Sequence, residues 1–206
     1  MRVLALDTAT DRATAALVAA GGLVLERGGD ARGSAARDVL ALIHGILGEA
    51  GVRLADLDGI AVGTGPGSYT GLRIGIATGE ALADGAGLPV AGVSTLDALR
   101  HHAPPGAVAV IDARRREVFA EGPGVTAAAY DPAALAGSLP AGTVVVGDGA
   151  LRYRELLTEA GVTVPADERL HQVRADAHAV LARFDGTRPT PRYLREPDAT
   201  PSAVVR

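Results

Sequence analysis

A glycine-rich turn that leads directly into a helix constrains this chain more than any other feature. Residues 63–75 read GTGPGSYTGLRIG and follow an apolar run, Ile60 to Val62, that predicts a buried strand. Small residues in such a turn let backbone N–H groups approach a phosphate at the start of a helix. The glycines at positions 71, 75 and 79 are four residues apart, so they also clear one helix face for a close neighbour. The sequence therefore predicts a phosphate-binding turn or a close helix contact.

The composition limits the chemistry that the chain can perform. Its 206 residues suffice for one large domain or two small ones, and the absence of Cys excludes disulfides and thiolate chemistry. All 20 residues counted as Lys or Arg are Arg, which excludes a Schiff-base lysine and the lysine of a Walker-type loop. A net charge of −4 disfavours nucleic-acid binding by this chain alone. Asp7 comes too early for a signal peptide, and no apolar run approaches the ~20 residues of a membrane span, so we expect a cytoplasmic location.

The order of the predicted elements indicates an α/β fold made of two related halves. The first half, residues 1–103, opens with a strand that ends in Asp7 and continues with a hairpin, crossover helices and further strands. The second half, residues 104–206, follows Pro104-Pro105-Gly106 and opens with a strand that ends in Asp112. A duplicated α/β unit of this kind predicts a cleft between its halves.

Five segments resemble the TsaB family, which is also called YeaZ. They are LALDTAT at 4–10, AVGTGPGSYTGLRIG at 61–75, GVSTL at 92–96, IDARR at 111–115 and PRYLR at 191–195. The resemblance is dense over residues 1–120, sparse over 121–185, and returns at 191–195. It implies an actin/Hsp70-like duplicated fold, with mixed sheets and crossover helices.

The resemblance also implies a function and a set of partners. It implies a non-catalytic subunit of the bacterial machinery that makes threonylcarbamoyladenosine on tRNA. The implied partners are a TsaD-like catalytic paralogue and a TsaE-like ATPase, with a homodimer when the chain is alone and only indirect contact with tRNA. No tightly bound cofactor and no membrane association are implied, and ATP or ADP would bind only within the complex.

The turns after the strands are candidates for a vestigial nucleotide cleft. Actin-like ATPases carry phosphate loops at two of these turns, but here the residue after Asp112 is Ala113 where such loops prefer Gly. The alternative is an ordinary strand-end turn, in which side chains bond to the local backbone. The candidate cleft residues are Asp7, Thr8, Thr10, Asp112, Gly147 and Gly149.

Histidine spacing argues against a metal site. The catalytic relative holds its metal with two His residues at i and i+4, whereas no two of the five His residues here are four apart. His171 and His178 are seven apart and are expected to be exposed. A peptidase is disfavoured as well, because Ser68 has no placed His and acidic partner. A self-sufficient actin-fold ATPase or phosphotransferase, with Asp7 and Asp112 on opposite sides of the cleft, remains the alternative function.

Each glycine inside a helix lowers its stability by about 0.5–1 kcal/mol relative to Ala, so three of them need a compensating contact. That contact could lie within the chain, against its own sheet. The family resemblance favours instead a bundle between two polypeptides, built from the helices 34–50 and 68–86. On that basis Gly75→Leu should abolish the complex and leave the monomer folded. The predicted interface comprises Leu40, Ile43, Leu47, Gly67, Gly71, Leu72, Gly75, Ile76, Gly79 and Ala83.

The segment Arg114 to Arg116 forms a local basic cluster. Such a cluster could contact tRNA or an acidic surface of a partner. The alternative is a triplet that is simply solvated at the end of a strand.

Overall fold

Two mixed β-sheets with the same strand pattern form the framework of the protein. The structure is a computed structural model that describes residues 1–29 and 35–195, with the backbone alone for residues 35–37. The first sheet has the order β3-β2-β1-β4-β5, and the second has the order β8-β7-β6-β9. The strands are β1 Val3–Asp7, β2 Thr14–Ala19, β3 Gly22–Gly28, β4 Gly59–Gly63, β5 Val90–Val93, β6 Val108–Arg114, β7 Glu117–Gly122, β8 Val125–Tyr130 and β9 Val145–Val146.

The pairing directions repeat from one sheet to the other. The strand β1 is antiparallel to β2 and parallel to β4, and β6 is likewise antiparallel to β7 and parallel to β9. The predicted duplicated, actin-like α/β class is therefore confirmed. The helices are α1 Ala35–Ala50, α2 Tyr69–Ala86, α3 Thr95–His101, α4 Pro132–Ser138, α5 Asp148–Arg152, α6 Arg154–Glu159 and α7 Ala175–Leu181, with short 3₁₀ turns at Leu54–Asp56 and Glu168–His171.

Helices cover both faces of the first sheet. Alternate residues of β1 point to opposite faces, so Leu4 and Leu6 pack with α1 and α2, whereas Ala5 packs with α7. The helix α7 comes from the second half of the sequence, so the proposed division at residue 103 separates the two sheets but not all of their helices. Within the described part of the chain, no helix has the length and apolarity that crossing a membrane requires.

The bounds of α2 follow from its terminal residues. Ser68 is the N-cap and its hydroxyl accepts a hydrogen bond from the Gly71 N–H, while Gly87 ends the helix in the left-handed conformation with φ 65°. The predicted start of α1 at Ser34 lies outside the described residues. In the second half, neither β8 nor α4 was predicted from the sequence.

The small-residue face of α2, formed by Gly71, Gly75, Gly79 and Ala83, lies against this chain's own first sheet. Gly67 precedes the helix, and a Cβ atom added there would overlap the Ala9 carbonyl oxygen. A Cβ atom added at Gly71 would overlap the Thr8 carbonyl oxygen, and one at Gly75 would overlap the Thr8 hydroxyl. A Cβ atom at Gly79 would overlap the Val62 side chain. The glycines thus allow α2 to lie directly on β1, β4 and the turn after β1.

The prediction that this face contacts a second polypeptide is therefore wrong, because the monomer already occupies it. Most of the other predicted interface residues are also internal: Leu72, Ile76 and Ile43 are buried, and Leu47 packs against the same core. Leu40 is the exception, since 53% of its surface is exposed on α1. Since Gly75 packs against Thr8, Gly75→Leu should destabilise the monomer itself, contrary to the expectation from the sequence.

We predict opposite effects for two Gly-to-Ala substitutions in α2. Gly75→Ala should lower the free energy of unfolding by about 1–3 kcal/mol, because the methyl group overpacks against Thr8. Gly85→Ala should raise it by about 0.5–1 kcal/mol, because an added Cβ meets no atom within 4 Å there. Urea unfolding of both variants measures the difference, and equal effects at the two positions would contradict the internal packing of α2.

Candidate functional site

The turn after β1 is closed by its own hydrogen bonds. Asp7 is 1% exposed, and its Oδ1 accepts from the Ala9 N–H at 2.7 Å. Its Oδ2 accepts from the Thr95 hydroxyl at 2.8 Å, and that hydroxyl also accepts from the Gly65 N–H. Both carboxylate oxygens are therefore engaged inside the protein.

A buried histidine completes the surroundings of Asp7. His178 on α7 is fully buried, and its Nε2 lies 2.9 Å from Asp7 Oδ2, although the two groups are not aligned as a hydrogen bond. The expectation that His178 and His171 are exposed was wrong, since His171 is only 3% exposed. The sequence offered one signal for the burial of His178: it lies between alanines in a short helical segment, which lets that helix pack closely on a sheet.

The turn after β1 and the start of α2 bind each other directly. The Thr8 hydroxyl donates to the Gly71 carbonyl at 2.6 Å, and the Ser68 N–H donates to the Ala9 carbonyl at 2.7 Å. The backbone N–H of Ser68 is one of the groups that could have faced a phosphate at this helix start. Here it is satisfied by the protein itself.

The end of β6 is surrounded by arginine side chains. Asp112 Oδ2 lies 3.3 Å from a guanidinium nitrogen of Arg114 and 3.2 Å from one of Arg152. Arg114 also forms an ion pair with Asp11, which belongs to the turn after β1. One ion pair, between Arg114 and Asp11, thus joins the end of β6 to the turn after β1 across the cleft.

His171 contacts the backbone of the turn after β9 on its buried side. Its Nδ1 lies 3.1 Å from the Gly147 nitrogen, and its Nε2 lies 2.9 Å from the Pro165 carbonyl oxygen. With a proton on Nε2 the ring donates to the Pro165 carbonyl, and an unprotonated Nδ1 accepts from the Gly147 N–H. The Gly147 N–H is therefore also used internally. Gly147 has φ 117°, a conformation that L side chains rarely adopt.

Asp148 lies at the wall of the cleft, and its pKa is raised. Burial raises the pKa of its carboxyl above the ordinary value of 3.8, and the nearby carboxylates of Asp112 and Asp11 add to the rise. Two hydrogen bonds oppose the shift, because Oδ1 accepts from the N–H groups of Asp112 and Gly149.

The three turns surround a hollow of about 480 Å³ between the two sheets. Its walls include Thr10, Ser68, Asp112, Arg114, Asp148 and Arg192. Of the predicted cleft residues, Thr10 and Asp112 line this hollow, whereas Asp7 and Thr8 are buried behind its wall. Among the residues that the structure describes, no group of three His, Asp or Glu side chains is placed to hold a metal ion.

Comparison with known proteins assigns this architecture to a family. The family model for TsaD, tRNA N6-adenosine threonylcarbamoyltransferase, matches residues 30–129. An uncharacterised protein of Mycobacterium tuberculosis is 38% identical over 219 aligned positions, which cover 98% of this chain and 95% of that protein. The tRNA threonylcarbamoyladenosine biosynthesis protein TsaB of Escherichia coli is 41% identical over 124 positions, or 58% of this chain and 53% of that protein. The solved structure of YeaZ from Pseudomonas aeruginosa superposes with a TM-score of 0.75 at 28% identity, covering 94% of this chain and 99% of that one.

The chain belongs to the TsaB/YeaZ family. Four of the five segments that carry the sequence resemblance to TsaB line the hollow, and the fifth, residues 92–96, contributes Thr95 to the hydrogen bonds of Asp7. The last of them, residues 191–195, returns from the end of the described chain to join the two sheets. The Arg192 N–H donates to the Thr64 carbonyl at 2.7 Å, while its guanidinium lies 3.0 Å from Glu121 on β7.

The same segment makes further contacts on both sides of the TsaB-type cleft. The Tyr193 ring stacks on Tyr69 with the ring centres 4.9 Å apart, and Arg73 donates to the Tyr193 hydroxyl. Arg195 forms an ion pair with Glu117 at 2.7 Å. The function of this segment was not predicted, because its contacts join positions that are far apart in the sequence.

We predict that Asp148→Asn changes the pH dependence of stability. A carboxyl group with a raised folded-state pKa contributes stability that is fully present below its unfolded pKa and lost as the pH rises through the folded value. Asn keeps the oxygen that accepts from Asp112 and Gly149 but has no charge to bury. The variant should therefore be more stable than the wild type at pH 7, and its advantage should shrink as the pH falls towards 3.8.

Asp167→Asn is the matched control for this measurement. The side-chain hydrogen bond from Arg169 lowers the pKa of Asp167. Asp167→Asn should therefore lower the free energy of unfolding at neutral pH, and this loss should become smaller as the pH falls. Urea unfolding across the pH range compares the two. An advantage of Asp148→Asn that does not change with pH would contradict the burial of a charged carboxylate.

Proposed function

We propose that this chain is a non-catalytic subunit of the machinery that makes threonylcarbamoyladenosine on tRNA, in which it pairs with a TsaD-like catalytic paralogue. The names of the TsaB relatives and of the matching family model support the pathway. The observation that carries the non-catalytic role is the enclosed carboxylate of Asp7. It is bonded to Thr95 and Ala9 and faces His178, so it has no free oxygen to orient water or to hold a metal ion.

The second carboxylate of the cleft supports the same proposal. Asp112 is neutralised by Arg114 and Arg152, which leaves little negative charge for a divalent cation. ATP or ADP would then bind in the complex through the paralogue. A purified chain that turns over ATP in a magnesium-dependent manner, and loses this activity in Asp7→Asn, would overturn the proposal in favour of a self-sufficient ATPase.

We place the pairing surface on the outward faces of α1 and α2, with Leu40 at its centre. The helices pack side by side on the first sheet, and their outward faces carry Leu40 on α1 and the exposed small residues Ala77 and Ala81 on α2. The TsaD family model matches residues 30–129, which include both helices, so the paralogue has a counterpart of this helix pair. Two such pairs can meet in a four-helix arrangement, and the same geometry permits a homodimer of the isolated chain.

Other components would join through the paralogue. A TsaE-like ATPase would bind the assembled pair. Recognition of tRNA would depend mainly on the complex, because the net charge of this chain is −4.

We predict that Leu40→Arg disrupts the complex without unfolding the monomer. The side chain is 53% exposed in the monomer, so the substitution costs little there, but in a helix bundle it would bury an unpaired charge. Affinity for the paralogue should fall at least about tenfold, and tRNA modification should fall with it. Co-purification and a reconstituted modification assay measure both effects.

Val180→Arg is the matched control. Val180 is 59% exposed on α7, which packs on the opposite face of the first sheet. This variant should bind the paralogue as the wild type does. Wild-type binding by Leu40→Arg, or equal losses in both variants, would show that the pairing surface lies elsewhere.

A further inference from the structure

A second hollow, of about 300 Å³, adjoins the hollow of the cleft and shares Thr10 and Asp148 with it. Its volume falls at the lower end of the range of about 300–1,000 Å³ for small-molecule sites. Much of its wall is apolar and comes from both halves of the chain, with Leu99, Ile111, Leu151 and Val173. The hollow therefore has the size and the lining of a site for a small, partly apolar molecule.

Four side chains that can carry charge line this hollow, and two of them are already engaged. Asp11 forms an ion pair with Arg114. Both ring nitrogens of His171 contact backbone groups of the chain. The other two side chains are Arg12 and Asp148.

Asp148 is a partly buried carboxylate without a cationic partner. Its Oδ1 accepts from the N–H groups of Asp112 and Gly149, whereas no Arg or His of the described residues forms an ion pair with the carboxylate. The arginines at the end of β6 pair instead with Asp11 and Asp112. Burial raises the pKa of Asp148, so the charged form lacks stabilisation in the free protein. Perturbed groups of this kind in a hollow are concentrated at functional sites.

Arg12 supplies the opposite charge at the same hollow. Its guanidinium lies 3.4 Å from the side-chain oxygen of Gln172, which is a neutral amide, and it forms no ion pair with any described residue. One cation and one anion thus line a single hollow without pairing with each other or with another charged side chain. Two opposite charges beside an apolar wall are complementary to a zwitterion with an apolar side chain.

We propose that this hollow binds a free α-amino acid with an apolar side chain, of about the size of leucine. The ammonium group donates to Oδ2 of Asp148, the carboxylate oxygen that no described group occupies. The carboxylate accepts from Arg12, whose planar donors bind carboxylate oxygens in pairs. The side chain packs against Leu99 and Leu151. This site belongs to the chain by itself and does not depend on the proposed function.

Three probes that share one carbon skeleton test the charges separately. They are L-leucine, isopentylamine, which lacks the carboxylate, and isocaproate, which lacks the ammonium group. Isothermal titration calorimetry of the full chain at neutral pH measures the affinity for each probe. L-Leucine should bind at least about tenfold more tightly than either analogue, because each analogue leaves one charged group of the site without a partner.

Two variants should each weaken a different pair of probes. Asp148→Asn should lower the affinity for L-leucine and isopentylamine by about tenfold and leave that for isocaproate unchanged. Arg12→Gln should lower the affinity for L-leucine and isocaproate by about three- to tenfold and leave that for isopentylamine unchanged. Because Asp148→Asn is expected to stabilise the fold, its loss of binding cannot be attributed to unfolding.

Asp167→Asn and Arg183→Gln are the matched controls. Both residues are exposed, and each control makes the same change of charge as one of the two variants. Neither residue lines the hollow. Both controls should bind L-leucine within twofold of the wild type.

Each other result overturns the assignment. A wild-type chain that does not bind L-leucine shows that the hollow is no amino-acid site. Isopentylamine that binds as tightly as L-leucine overturns the role of Arg12, and unchanged binding in both variants places the ligand elsewhere. These results come from the isolated chain, so they leave pairing with the paralogue unaffected. A chain that contributes nothing to tRNA modification would instead overturn the proposed function alone.

Discussion

The contact between the start of α2 and the turn after β1 is the interaction on which the rest of the structure depends. Gly71 and Gly75 remove the side chains that would keep α2 away from Thr8, and the Thr8 hydroxyl then bonds to the Gly71 carbonyl. With the helix in this position, the Asp7 carboxylate is sealed between Gly63, Thr95 and His178. The cost of glycine in a helix is offset by this close packing.

The same contact determines what the cleft and the helices can do. Backbone groups that could face a phosphate are bonded to each other, as the Ser68 N–H is to Ala9. The inward face of α2 is covered by the sheet, so the proposed pairing surface uses outward residues such as Leu40. Burial of the signature motifs is the observation behind our proposal that the chain supports a catalytic partner.

Much of the framework could be predicted from the sequence, because its signals are local. The ends of α2 follow from Ser68 and Gly87, and the duplication follows from two opening strands that carry Asp7 at the end of β1 and Asp112 near the end of β6. The sequence could not show whether the small-residue face of α2 contacts the chain's own sheet or a second polypeptide. Glycines permit close approach by either one and have no side chain whose chemistry favours one of them. The segment 125–130 escaped prediction because its sequence, VTAAAY, is rich in alanine, which is a weak strand former.

The partners of Asp7 were also beyond local reasoning. Thr95 and His178 reach it from elements that are distant in the sequence, and only the assembled sheet brings them together. The left-handed backbone of Arg114, Arg115 and Arg116, between β6 and β7, was likewise not predictable, because arginine rarely adopts positive φ.

Hydrogen exchange on the isolated chain, with and without magnesium ATP, tests the central claim most directly. We expect the amides of Ala9 and Ser68 to exchange slowly in the free protein, because both are hydrogen-bonded inside it, and we expect nucleotide not to change their exchange rates. Rapid exchange of these two amides in the free protein, followed by protection when magnesium ATP is added, would contradict it.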